Sequence, residues 1–221
     1  MVRALILSFA AVCLAEQSTA GPAALVEAAV PCCETGGQSR VVQLTLRNHS
    51  RMGDADVGDV LAVANRIWTP YRVGVELGTG PGAVTVVLID GRHLAPQDVS
   101  VSVLGTTLFA RGHALPFISL SLAAAEALAD DSDLGVIPFR AQSAERRNGI
   151  LRRMLGVFLA HEIGHYLLDT TRHSPAGLLQ AALSTRELAF PQPSHLTLTP
   201  AQRRQLCSCI DAARGKPSDG T

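Results

Sequence analysis

His161 and His165 stand four residues apart, with Glu162 directly after the first, in the run His161-Glu162-Ile163-Gly164-His165. On a helix, residues at that spacing share a face about one turn apart, so both imidazoles can reach a single ion. Imidazole nitrogen is a favoured zinc donor, and the intervening glutamate points at a different angle, toward a metal-bound water rather than the metal. Such a set supports hydrolysis. Zinc brings the pKa of a bound water toward about 7, and the carboxylate accepts its proton as general base. Three fixed residues recur by chance in unrelated helices, so the setting has to carry part of the argument. The setting is apolar, which makes three ionisable groups there expensive unless a metal compensates. The competing reading is a hydrogen-bonded structural cluster without metal.

The motif must ride on a helix. From Ala144 to Leu168, Ile150, Met154, Leu155, Val157, Phe158, Ile163 and Leu167 recur at helical spacing, with the charged residues gathered near the start. Upstream, Arg40 to Arg47 alternates as a strand. Val57, Val60, Leu61, Ala64 and Ile67-Trp68 then predict a helix capped by Asp54 or Asp56 and ended before Pro70. Tyr71 to Leu77 and Val84 to Ile89 read as strands around a Gly-rich break. Val99 to Leu104 and Pro116 to Leu122 are further strand candidates joined by Gly105 to Leu115, and a helix is expected over Ala123 to Ala129. The alternation predicts an α/β fold with four or five strands in one sheet. Near the C-terminus, Thr199 as cap and Pro200 at the first helical position predict a helix over Ala201 to Ala213.

Composition limits the remaining possibilities. With 221 residues, 47% of them hydrophobic, the chain can bury one sizeable core, and 19 basic residues against 19 acidic ones leave no net field to attract nucleic acid or an anionic membrane. Residues 1–20 carry Arg3, an apolar run from Ala4 to Ala15 and the small-residue exit Ser18-Thr19-Ala20, the pattern of a secretory signal peptide. We therefore expect one domain over residues 21–221, working outside the cytoplasm, secreted or periplasmic, without a membrane span. Apart from Cys13, the cysteines are Cys32-Cys33 and Cys207-Ser208-Cys209. Bridges within either cluster would be strained, so two disulfides between them are expected, with a four-cysteine zinc site as the alternative.

Through the His161–His165 motif, the long helix that carries it and the order of sheet before helix, the chain resembles the metzincin zinc peptidases. The resemblance covers roughly residues 40–180. It implies a mixed, mostly parallel twisted sheet of four to five strands packed on two long helices, a Zn2+ cofactor and a peptide or protein substrate. Metzincins continue the motif with a glycine and a third histidine, positions held here by Leu168 and Thr171. His173, two residues later, is the favoured third ligand. Glu187 is the alternative, by analogy with thermolysin-like peptidases, and His195 a further one; His49, His93 and His113 have no spacing that recruits them. The family's Met-containing turn beneath the metal corresponds to Pro175 to Leu179, with Leu179 in place of the Met. By the same resemblance, Phe117 to Leu122 is the edge strand expected to receive an extended peptide. Glu162 is expected to be the catalytic base, as its place between the two histidines suggests, and the protein is expected to be a monomer.

Overall fold

The computed structural model describes residues 40–91, 104–132, 134–135 and 137–214. The proposed signal peptide, Cys32, Cys33, His93 and all but Leu104 of the strand candidate Val99 to Leu104 fall outside them.

Strand β1 (Arg40–His49) leads into helix α1 (Asp54–Trp68), followed by β2 (Val73–Leu77) and β3 (Val84–Ile89). Strand β4 (Gly105–Ala110) and β5 (His113–Ser121) form a hairpin, and α2 (Leu122–Asp130), α3 (Ala144–Leu167), α4 (Thr185–Ala189) and α5 (Pro200–Arg214) complete the chain. The five strands make one sheet in the order β2-β1-β3-β5-β4. Every pairing is parallel except that of β4 with β5. This is a mixed α/β fold with a mostly parallel sheet.

The strands sort their residues by the period-2 rule. Val42, Leu44, Val73, Val75, Val84, Val86, Leu88, Ile118 and Leu120 are buried, whereas Val41 and Leu77 are exposed. Those buried residues join Val57, Val60, Val63, Ala64, Ile67 and Trp68 of α1 and Ile150, Met154, Leu155, Val157 and Leu159 of α3 in one hydrophobic core. The two long helices approach closely at Gly156. A Cβ there would lie 2.5 Å from the Val63 Cβ and 2.8 Å from the Val60 carbonyl oxygen.

Four local expectations are corrected. Helix α1 is preceded by Gly53 with no side-chain cap, and Asp54 and Asp56 sit in its first turn, where the helix dipole favours acidic residues. Tyr71 belongs to a 3-10 turn over Thr69–Tyr71 that Pro70 can join, and Arg72, in the left-handed region at φ 57°, ends that turn, so β2 begins at Val73, two residues later than expected. The supposed connection from Gly105 to Leu115 is itself mostly strand, turned by Arg111 (φ 53°) and Gly112 (φ 84°). Its alternation of apolar and polar side chains is too irregular to announce a strand, and the register with β5 shifts between Thr107 and Phe109. Consequently Phe117 to Ser121 is not an edge: β5 is paired with β3 on one side and β4 on the other, Leu122 begins α2, and β4 is the edge. Ser121 ends β5 and caps α2 through its hydroxyl, which accepts from the Ala124 N–H at 3.1 Å.

Gly156→Ala is expected to lower stability by about 1–3 kcal/mol, because the added methyl must push α1 off α3. Urea unfolding monitored by circular dichroism measures it, with Gly149→Ala, whose Cβ meets only arginine side-chain ends, as the control.

Candidate metal centre

Helix α3 is capped by Ser143, whose side chain accepts from the Arg146 N–H, and runs 24 residues from Ala144 into the interior. Its last two turns carry His161, Glu162 and His165, all at 5–6% relative exposure. Trp68, fully buried on α1, donates its indole N–H to the Ala160 carbonyl at 3.1 Å, fixing the helix immediately before the motif. Gly164 lets a second layer in. A Cβ there would meet Leu179 Cδ2 at 2.7 Å and Trp68 Cζ2 at 3.4 Å, so the fully buried Leu179 packs directly under the motif.

After α3 the chain turns sharply. Leu168 is buried with its backbone in the bridge region (φ −93°, ψ 0°), and the left-handed residue is Asp169 (φ 45°). A turn that glycine usually supplies is thus displaced by one residue and taken by Asp, which tolerates that region better than most side chains. Asp169 is held in place by its carboxylate, which accepts from the Ala114 N–H at 2.6 Å and contacts His113 Nδ1 at 2.7 Å. These contacts, the Ala114 N–H first, hold the Asp169 pKa below its ordinary value. The loop beyond closes on itself: the Ser174 N–H donates to the Leu179 carbonyl, and the Leu178 N–H donates to Thr197. Gly177 is obligatory there, with φ +84° and a missing Cβ position only 2.1 Å from the Thr197 carbonyl oxygen.

This folding brings His173 back beside the helix. The rings of His161, His165 and His173 cluster with centroids 4.7, 5.4 and 4.9 Å apart pairwise. One nitrogen from each lies within 4.8 Å of the other two, close enough to bind one metal ion. His173 is the exposed member and the two helix histidines are buried.

Their hydrogen bonds define the tautomers. His161 Nδ1 is 2.7 Å from the Leu178 carbonyl oxygen, and His165 Nδ1 is 2.7 Å from that of Thr170. A carbonyl can only accept, so both Nδ1 atoms carry the proton. The two Nε2 atoms then face each other, lone pair to lone pair, at 3.0 Å. Burial, reinforced by His165, lowers the His161 pKa to about 3, and burial also lowers that of His165, so near neutral pH neither ring has a second proton to bridge the gap. A cation resolves the conflict. Tetrahedral zinc with Zn–N distances of 2.0–2.1 Å separates its nitrogens by about 3.3 Å, close to the 3.0 Å between these two, and the His173 nitrogen lies within 4.8 Å of both, so the three residues can hold a metal ion of that size.

Glu162 lies against β4 on the other side. The Thr107 hydroxyl is 2.7 Å from its Oε2 and 2.9 Å from its main-chain carbonyl oxygen. Burial raises the Glu162 pKa to about 7, against the opposing pull of that hydrogen bond. Glu187 is occupied elsewhere. Its carboxylate accepts from the Ser184 N–H and hydroxyl in a capping box at the start of α4, and with His195 nearby its pKa is lowered, Ser184 being the largest cause. Neither Glu187 nor His195 joins the histidine cluster. The expected bridges involve Cys32 and Cys33, which lie outside the described residues; Cys207 is half-buried and unbridged among the described ones.

Sequence reading missed Thr107, Asp169 and the carbonyls of Thr170 and Leu178. Main-chain acceptors leave no mark in residue identity. Asp169, directly after a helix end that lacks glycine, is the one that could have been noticed.

No protein-family model matches this chain, and a search of the curated proteins finds no similar sequence.

In the metal-free protein, the folded-state pKa of His161 lies below its unfolded value, so the unfolded chain takes up a proton that the folded one refuses. The associated stability is present above about pH 6.5 and is lost as pH falls toward 3. With chelator present, His161→Gln should lose less stability than the wild type between pH 7 and pH 4. Denaturation midpoints across that range measure the difference.

Proposed function

We propose that this chain is a zinc-dependent peptidase with His161, His165 and His173 as ligands and Glu162 as catalytic base. The observation that carries the reading is the pair of Nε2 lone pairs facing each other at 3.0 Å, each fixed by a carbonyl behind it. Backing by carbonyls is the arrangement by which metal-ligating histidines are oriented. Three protein ligands leave a coordination position open for chemistry, as catalytic zinc sites do. The resemblance of the motif and its helix to metzincins supports a peptide substrate.

Zinc supplies Lewis acidity, polarising a carbonyl oxygen and acidifying a water. Glu162 takes a proton from the attacking water at its carboxylate and delivers it to the nitrogen of the departing amine. Edge strand β4, which contacts Glu162 through Thr107, is the strand we assign to the substrate; an extended peptide can add to such an edge by main-chain pairing. The signal-like residues 1–20 support a role outside the cytoplasm, and no described helix is long and apolar enough to cross a membrane.

Protein purified without chelators should contain about one zinc per chain and cleave quenched fluorescent peptides, with activity lost to chelator. Glu162→Gln should keep the zinc and lose hydrolysis by at least about 100-fold. Zinc without hydrolysis in the wild type would instead indicate an exported zinc-binding module. His173→Ala should weaken zinc binding beyond the 10–100-fold typical of losing an outer hydrogen-bond partner, and Glu187→Gln should leave it unchanged.

A further inference from the structure

The edge strand does more than border the centre. Thr107 is buried at 7% relative exposure, and its side chain reaches across from β4 to the residue between the two histidines. A threonine hydroxyl has a single proton, and here it stands within hydrogen-bond distance of two oxygens of one residue, the Glu162 Oε2 at 2.7 Å and the Glu162 main-chain carbonyl at 2.9 Å. The same strand presses on Glu162 a second time. At Gly105 a Cβ would lie 3.2 Å from Glu162 Cγ and 3.0 Å from Leu120 Cδ2, so a side chain there would crowd the stem of the carboxylate. Two alternate residues of β4, on the same face of the strand, thus fix the carboxylate from its tip and from its stem.

We propose that Thr107 is the positioning residue of Glu162, holding its carboxylate at one orientation through the hydroxyl, with Gly105 providing the space the side chain occupies. The inference rests on the peptidase reading for its consequence, because a base carboxylate misplaced by about 1 Å can cost on the order of 100-fold in rate. It also ties the base to the strand assigned to the substrate, so that a peptide pairing with β4 meets a carboxylate referenced to the same backbone. The Thr107 hydroxyl hydrogen-bonds to Glu162 rather than to either ligand histidine, so it acts through Glu162.

The test compares Thr107→Val, which keeps the shape and removes the hydroxyl, with Thr107→Ser, which restores it. In zinc-loaded protein, Thr107→Val should bind zinc as the wild type does and lose about 10- to 100-fold in kcat with KM changed less than about twofold, while Thr107→Ser recovers most of the rate. Crystal structures of the two variants supply a readout independent of turnover: the Glu162 carboxylate should leave its wild-type orientation in Thr107→Val and keep it in Thr107→Ser. An unmoved carboxylate in a folded Thr107→Val protein, or an unchanged kcat, overturns the proposal. If Thr107→Val does not fold, Thr107→Ala against Thr107→Ser makes the same comparison. A wild-type protein that holds zinc and cleaves no peptide defeats the peptidase reading, and the carboxylate's orientation alone then judges Thr107.

Discussion

Two imidazole nitrogens that each need a partner, and that have only each other, sit at the end of a buried helix. His161 and His165 are driven together by a spacing of four on α3, and each has its Nδ1 proton committed to a carbonyl. Left alone, the facing lone pairs at 3.0 Å repel, and burial makes protonation of either ring unfavourable. Much of the surrounding structure bears on keeping this arrangement, in which three histidines stand close enough to bind one metal ion.

The supports come from every layer of the fold. Trp68 reaches from α1 to the Ala160 carbonyl, so the packing of the two long helices, made close by Gly156, fixes the helix just before the motif. Beneath the motif, Gly164 admits Leu179, and the tight loop that carries Leu179 also presents the Leu178 carbonyl to His161. Asp169 turns the chain after α3 and fastens it to the β4–β5 hairpin through Ala114 and His113, and one residue later Thr170 presents its carbonyl to His165. Gln205 of α5 donates to the Leu168 carbonyl, so the C-terminal helix also steadies this turn. The ligand loop is therefore short, closed and anchored at several points. A loop so held returns His173 to the side of the helix.

Much of this was legible in the sequence wherever side-chain identity carried the signal. The helix bearing the motif was placed within one residue of its observed span, β3 was placed at its observed ends, and Thr199-Pro200 marked the start of α5. Periodicity failed at β4, where a register shift breaks the alternation and a tight hairpin replaces the loop expected there. That failure displaced the edge strand from Gly105–Ala110 to β5, and with it hid Thr107. The competition between His173 and Glu187 was likewise unreadable from spacing. It turns on whether Glu187 is spent as a helix cap, a contact that depends on where α4 begins. What sequence reading lacks most is the main chain: the carbonyls of Thr170 and Leu178 orient both helix histidines, and no residue type announces them.

Three imidazoles, two of them oriented through Nδ1 by main-chain carbonyls, are proposed to hold one metal ion. X-ray absorption at the zinc edge of the purified protein tests it most directly. The expected spectrum shows three nitrogen scatterers with imidazole outer-shell features at about 2.0–2.1 Å and one further oxygen or nitrogen. Sulfur scatterers at about 2.3 Å would place the zinc on the cysteines instead, and fewer than two imidazoles in the shell would contradict the centre described.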